Sequence, residues 1–110
     1  MPDESPETIA ARPRGEVPLS KPITAHGESL SVLTLREPGG KEIRTLGLPY
    51  RFGADGSTII EAAVVARFIS ELAGIPLSAV DKLPPPDWQK AMSAVLDFFG
   101  VAEGSSAPRS

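Results

Sequence analysis

Apolar residues of this chain recur every second position between Val17 and Leu35 and at helical spacing from about residue 58 onward, so the pattern divides a β part from an α part. Val17, Leu19, Ile23 and Ala25 take the odd positions and predict a strand with one apolar face. Pro18 and Pro22 have no N–H to give a ladder, which puts that strand at a sheet edge. His26-Gly27 supplies the turn, with glycine free to take positive φ. In the second strand Leu30 and Val32 share one phase and Leu33 and Leu35 the other; the slip between Val32 and Leu33 predicts a β-bulge or burial on both faces. A hairpin alone is barely stable in water, so this one packs on helices or takes a further strand from elsewhere.

Glu37-Pro38 ends the second strand, because a residue before proline is held extended, and a short helix over about 41–46 turns Ile43 and Leu46 inward. Residues 48–57 read as a loop whose aromatic pair, Tyr50 and Phe52, is expected as a lid on the core, with an exposed contact as the alternative. Ser57 or Thr58 then caps a helix that runs to about Ala73, with Glu61 near its positive end and Gly74 as its C-cap. At about 100° per residue, Ala62, Val65, Ile69, Leu72 and Ala73 form one apolar face, and Ile60, Val64 and Phe68 a second. A helix apolar on two sides is either sandwiched between neighbours or offers one face to a partner. Ile60, Val64 and Phe68 are therefore candidate partner-binding residues.

A single turn over 77–82 follows, bracketed by Ser78 and Asp81 at capping-box spacing and pointing Leu77, Val80 and Leu83 inward. Three prolines, 84–86, lead into the last helix, where proline is tolerated at the first position and Asp87 suits the dipole. Its buried stripe is Trp88, Met92, Val95 and Phe99, opposite Gln89, Lys90, Ser93 and Asp97. Phe98 flanks the stripe, partly wet, and joins the candidate contact residues.

The ends lack this patterning. Residues 1–16 have Ile9 as their one bulky aliphatic side chain, too little to offset the entropy of ordering, and are expected as a disordered arm. Residues 101–110 turn to Gly, Ser and Pro and are expected as a flexible tail, leaving 17–100 as one domain. The expected fold is α+β: an N-terminal β-hairpin packed against a small bundle of three to four helices, with disordered termini.

Charge and chemistry narrow the function further. The 11 Lys and Arg are scattered among 14 Asp and Glu, so the chain has no basic footprint for nucleic acid. Cysteine is absent, which removes disulfides, thiolate nucleophiles and Cys-bound metal. No apolar run reaches the roughly 20 residues of a membrane span. The one histidine lies in a hairpin turn, and catalysis needs a base, a nucleophile and an orienting group to converge. Asp81 and Asp87 bracket the prolines, and the preference of aspartate for helix starts accounts for both without a metal. Neither PGG nor GADG carries a phosphate-loop or dinucleotide pattern. Non-enzymatic protein binding, with no cofactor and no metal, is the expectation. A competing class is a small adaptor or regulatory domain whose C-terminal half mimics a helix-turn-helix, although the polar face of the last helix lacks arginine and carries an acid.

One ordered series of modest motifs goes further: Leu-x-x-Pro-Ile at 19–23, Leu-Arg-x-Pro at 35–38, and Gly-Ile, Val-x-x-Leu and Asp-Trp between 74 and 88. Over 19–99 the chain resembles the tail assembly chaperones of Mu-like contractile-tailed phages and prophages. Pro38-Gly39-Gly40 departs from that family's tendency to place threonine after the proline. The resemblance implies a holdase in the bacterial host cytoplasm, absent from the mature virion. Its partner would be the tape measure protein, kept soluble until tail-tube subunits polymerise around it, and self-association into a homo-oligomer or several copies along the client would go with that role.

Overall fold

The structure, a computed structural model, describes residues 15–100. Strands β1 (Glu16–Ala25) and β2 (Glu28–Thr34) form the expected antiparallel hairpin. His26 (φ 53°) and Gly27 (φ 75°) both take positive φ, as a two-residue turn matched to strand twist requires. β1 begins one residue before the expected boundary, and the N–H of Leu35 donates to the carbonyl of Gly15 at 2.8 Å. The arm expected before that point and the tail expected over 101–110 lie outside the described residues.

The phase slip of β2 is the visible half of an irregularity whose extra residues belong to β1. Pairing runs from Glu16↔Thr34 to Pro18↔Val32 and resumes at Ile23↔Leu30, so residues 19–22 stand opposite Ser31 alone. The odd spacing of Leu30 and Leu33 can thereby serve one face: Val17, Ile23 and Leu33 are all buried, and Leu30 is half-buried against them.

Helix α1 (Gly40–Leu46) carries Leu46 against the core, whereas Ile43, expected inward, is exposed. The Glu42 carboxylate accepts the Gly39 N–H at 2.8 Å and a hydrogen bond from Arg36 at 2.8 Å, closing the first turn. First the Gly39 amide and then the Arg36 guanidinium hold its pKa down to about 2. The same guanidinium reaches Glu71 at 3.4 Å, bracing α1 against the next helix.

Residues 48–57 are not the expected loop. Strands β3 (Tyr50–Phe52) and β4 (Thr58–Ile60) pair antiparallel around Gly53-Ala54-Asp55-Gly56, with Asp55 accepting the N–H and hydroxyl of Ser57. Ser57 is thus engaged in the turn and caps no helix. Helix α2 (Ala62–Ala73) starts after Glu61 and ends on Gly74, whose φ of 70° is the left-handed C-cap expected from sequence. It buries one broad face, Val65, Phe68, Ile69 and Leu72, so the two sequence-level faces merge at Phe68.

Helix α3 (Leu77–Val80) follows Pro76 without a side-chain cap; Asp81 sits at its C-cap, and Leu77, expected inward, is exposed. Helix α4 (Pro85–Phe98) buries Asp87, Ala91, Val95 and Leu96, while Trp88, Met92 and Phe99 flank this row half-buried. The buried centre is rotated from the expected stripe because a carboxylate, not an indole, faces the hairpin. α4 packs on β1 and on α2, and α2 also meets α1, α3 and β2, which makes α2 the hub of the core.

Candidate protein-binding surface

Asp87 is fully buried, and its partners explain why. Its carboxylate accepts the Ser20 N–H at 3.0 and 2.9 Å and the Ser20 hydroxyl at 3.0 Å, and Lys90 lies 3.4 Å away. Burial pushes this carboxyl up, and hydrogen bonds from Ser20, the Lys21 backbone and Lys90 more than reverse it, leaving it below the ordinary aspartate value. Lys90 also donates to the Pro18 carbonyl at 2.7 Å. The bulge in β1 is therefore a latch on the first turns of α4. Asp87 does more than favour a dipole, yet its chemistry is structural: the described residues bring no three potential metal ligands together. Lys90, the one cation on the face a recognition helix would use, is spent on the same latch.

His26 serves a similar purpose at the other end of the hairpin. Its Nε2 lies 3.1 Å from the Gly74 carbonyl and ties the turn to the end of α2.

Four aromatic rings connect the centre of the core to the surface. Phe68, at 0% exposure, meets Phe99 edge-on at 5.4 Å. Phe99 meets Tyr50 at 6.3 Å, and Tyr50 meets Phe52 at 5.8 Å, each near-perpendicular, the geometry that ring quadrupoles favour. Tyr50 does form part of a lid. Phe52 does not: it is 68% exposed, the most exposed large apolar side chain among the described residues. Strand alternation explains the row, because Tyr50 and Phe52 share one face of β3 and Tyr50 lies opposite Ile60.

The residues singled out from sequence occupy different depths. Ile60 belongs to β4 rather than to the helix and is half-buried. Val64 is half-buried on the first turn of α2. Phe68 is inaccessible and supports Phe99 from beneath. Phe98 is half-buried, its ring lying over Gly15. Sequence reading missed the second hairpin, whose approach and tip carry the exposed Leu48 and Phe52. The signal was present: YRF and TII are short alternating runs separated by Gly-Ala-Asp-Gly, a hairpin spacing.

Fold and latches together define a small α+β domain in which Asp87, Lys90 and His26 tie the first hairpin to its helices. Residues 16–100 match the family model described as phage tail assembly chaperone proteins, E, or 41 or 14, and the chain belongs to that family. No curated protein and no solved structure matches it. Its partners are accordingly proteins of tail assembly. No described helix is long and apolar enough to cross a membrane.

Proposed function

We propose that this chain binds the tape measure protein and keeps it soluble before the tail tube polymerises, acting by contact alone and without catalysis. Membership of the tail assembly chaperone family over residues 16–100 carries the reading. The role belongs to virion morphogenesis in the cytoplasm of the host, for a phage or a prophage, and ends before the tail is complete. Its physical requirement is apolar surface that a client can cover and later release. Ile60, Val64 and Phe98 are the proposed contacts, with Phe68 holding the surface from below, and several copies along one client would multiply a modest affinity.

Co-expression with the tape measure protein of the same genome tests the proposal. The expected result is a soluble client that co-purifies with this chain. An insoluble, unbound client beside a folded chain would refute it.

A further inference from the structure

The first hairpin is a sheet of its own, so each of its strands has an outer edge, and the chain treats the two edges differently. The edge of β1 carries Pro18 and Pro22, which have no N–H, with Lys21 between them, residue types that discourage a further strand. Two more of its backbone groups are occupied: Asp87 accepts the Ser20 N–H, and Lys90 donates to the Pro18 carbonyl. β2 has none of these devices, and the run from Ser29 to Leu35 contains no charge, no proline and no glycine. Hydrogen bonding alternates along an antiparallel ladder, so the register fixes which groups of β2 point away from β1. The Leu35 N–H bonds to Gly15, which makes Leu33 and Leu35 the inward-bonding positions and turns the N–H and carbonyl of Val32 and Thr34 outward. Arg36 shares that outer edge, where the Leu72 carbonyl takes its N–H. Val32 and Thr34 make no such bond among the described residues, and both are exposed.

We infer that the β2 edge pairs with the same edge of a second copy of this chain, antiparallel across a two-fold axis, to make one four-stranded sheet in the order β1-β2-β2-β1. The register follows from which groups are free. The bulge opposite Ser31 interrupts the alternation of β2, so Val32 and Thr34 are its regular run of outward positions. An axis through Leu33 sets Val32 of each copy opposite Thr34 of the other, and each pair exchanges both of its N–H to carbonyl bonds. An axis through Val32 would instead set Thr34 against the inward-bonding Leu30, and one through Thr34 would set Val32 against Arg36, whose N–H is spent. Side chains directly opposite share a face, so each exposed Val32 gains the Thr34 methyl of the second copy while Leu33 stays on the core face. A second copy suits this edge because its free groups complement themselves at that register and no charge within the run opposes the approach. The interface is small, which makes the dimer weak and exchangeable. It needs no client, so self-pairing and tape measure binding stand or fall separately.

Sedimentation of the full chain over a dilution series reaching about 1 mM tests the inference, with a dimer fraction that rises with concentration expected. Val32→Pro removes an outward N–H and none of the bonds to β1, so it should weaken the dimer about tenfold while leaving the circular dichroism of the domain unchanged. Because the chain has no cysteine, the register can be read chemically. Val32→Cys and Thr34→Cys chains, mixed and oxidised with diamide, should cross-link to each other, since hydrogen-bonded partners have Cα atoms about 5.5 Å apart, within disulfide reach. Either variant alone places its cysteines diagonally, about 7–8 Å apart, and should cross-link far less. If Val32→Pro fails to fold, the mixed cross-link decides. A native chain that is monomeric throughout, a folded Val32→Pro variant that dimerises like the native chain, or cysteines that cross-link as readily alone as mixed would each overturn the inference. The first of these outcomes is the one expected if the edge serves a strand of another protein. Monomers that still co-purify with the tape measure protein would leave the chaperone reading standing; a cross-linked dimer without co-purification would remove that reading and keep the interface.

Discussion

Phe52 and Phe68 are separated by two intervening rings, yet their substitutions should have opposite consequences. Phe68→Ala opens a cavity at the hub of the core and should cost about 3–5 kcal/mol in denaturant unfolding, enough to unfold much of a domain this small. Phe52→Ser removes a mostly solvated ring and should change stability by about 0.5 kcal/mol or less. Loss of client binding by Phe68 variants is therefore uninformative about contact, and Phe52 is the residue on which contact can be tested. Gly15 is a third case where one atom decides. At φ 87° an added Cβ would lie 2.2 Å from the Leu35 carbonyl oxygen and 3.1 Å from the Phe98 ring. Gly15→Ala should lower stability by more than about 1 kcal/mol, measured by chemical denaturation. A neutral outcome would mean that the pairing of Gly15 with Leu35 is dispensable.

Elements whose signal is local were legible, and elements that depend on a distant partner were not. The first hairpin could be read because His26-Gly27 and the alternation around it specify a turn within a few residues. The C-cap at Gly74 is equally local. The start of α2 was misplaced because Ser57 is a good N-cap by type but is held in the turn by Asp55, leaving the helix to begin at Ala62. The stripe of α4 was misassigned because Asp87 reads as a surface residue until Ser20, 67 positions away, is brought beneath it. Of the proposed contacts, Ile60, Val64 and Phe98 come from apolar residues in amphipathic runs, whereas the exposure of Phe52 goes against the habit of loop aromatics to tuck inward. The latch itself makes a prediction. Asp87→Asn keeps the size but loses the charge that Ser20 and Lys90 favour, so the melting temperature at neutral pH should fall; an unchanged value would show that the bulge holds without it.

At the scale of the whole molecule, acid should act through the same carboxylate. The pKa of Asp87 is below the ordinary aspartate value in the folded state, so its contribution is complete above that ordinary value and is lost as pH falls through the lower folded one. Glu42 follows the same sign, from 4.5 down to about 2, with its effect centred on α1. Thermal melts taken downward from pH 5 should show stability declining through this window, and Asp87→Asn should flatten part of the decline. A decline of equal steepness in the variant would assign acid sensitivity elsewhere. The latch also imposes an order on the making of the protein. β1 is synthesised ahead of the other described elements, but the carboxylate that seats its bulge comes 67 residues later, on the last of the described helices. The hairpin can pair early, since its contacts are near in sequence, yet it gains its seat only when Pro85–Phe98 has emerged. Until then α2 lacks the cover of α4, and Phe68 has no Phe99 to close over it. The domain is thus completed only once α4 has been made, and a chain stopped before residue 85 should remain unfolded.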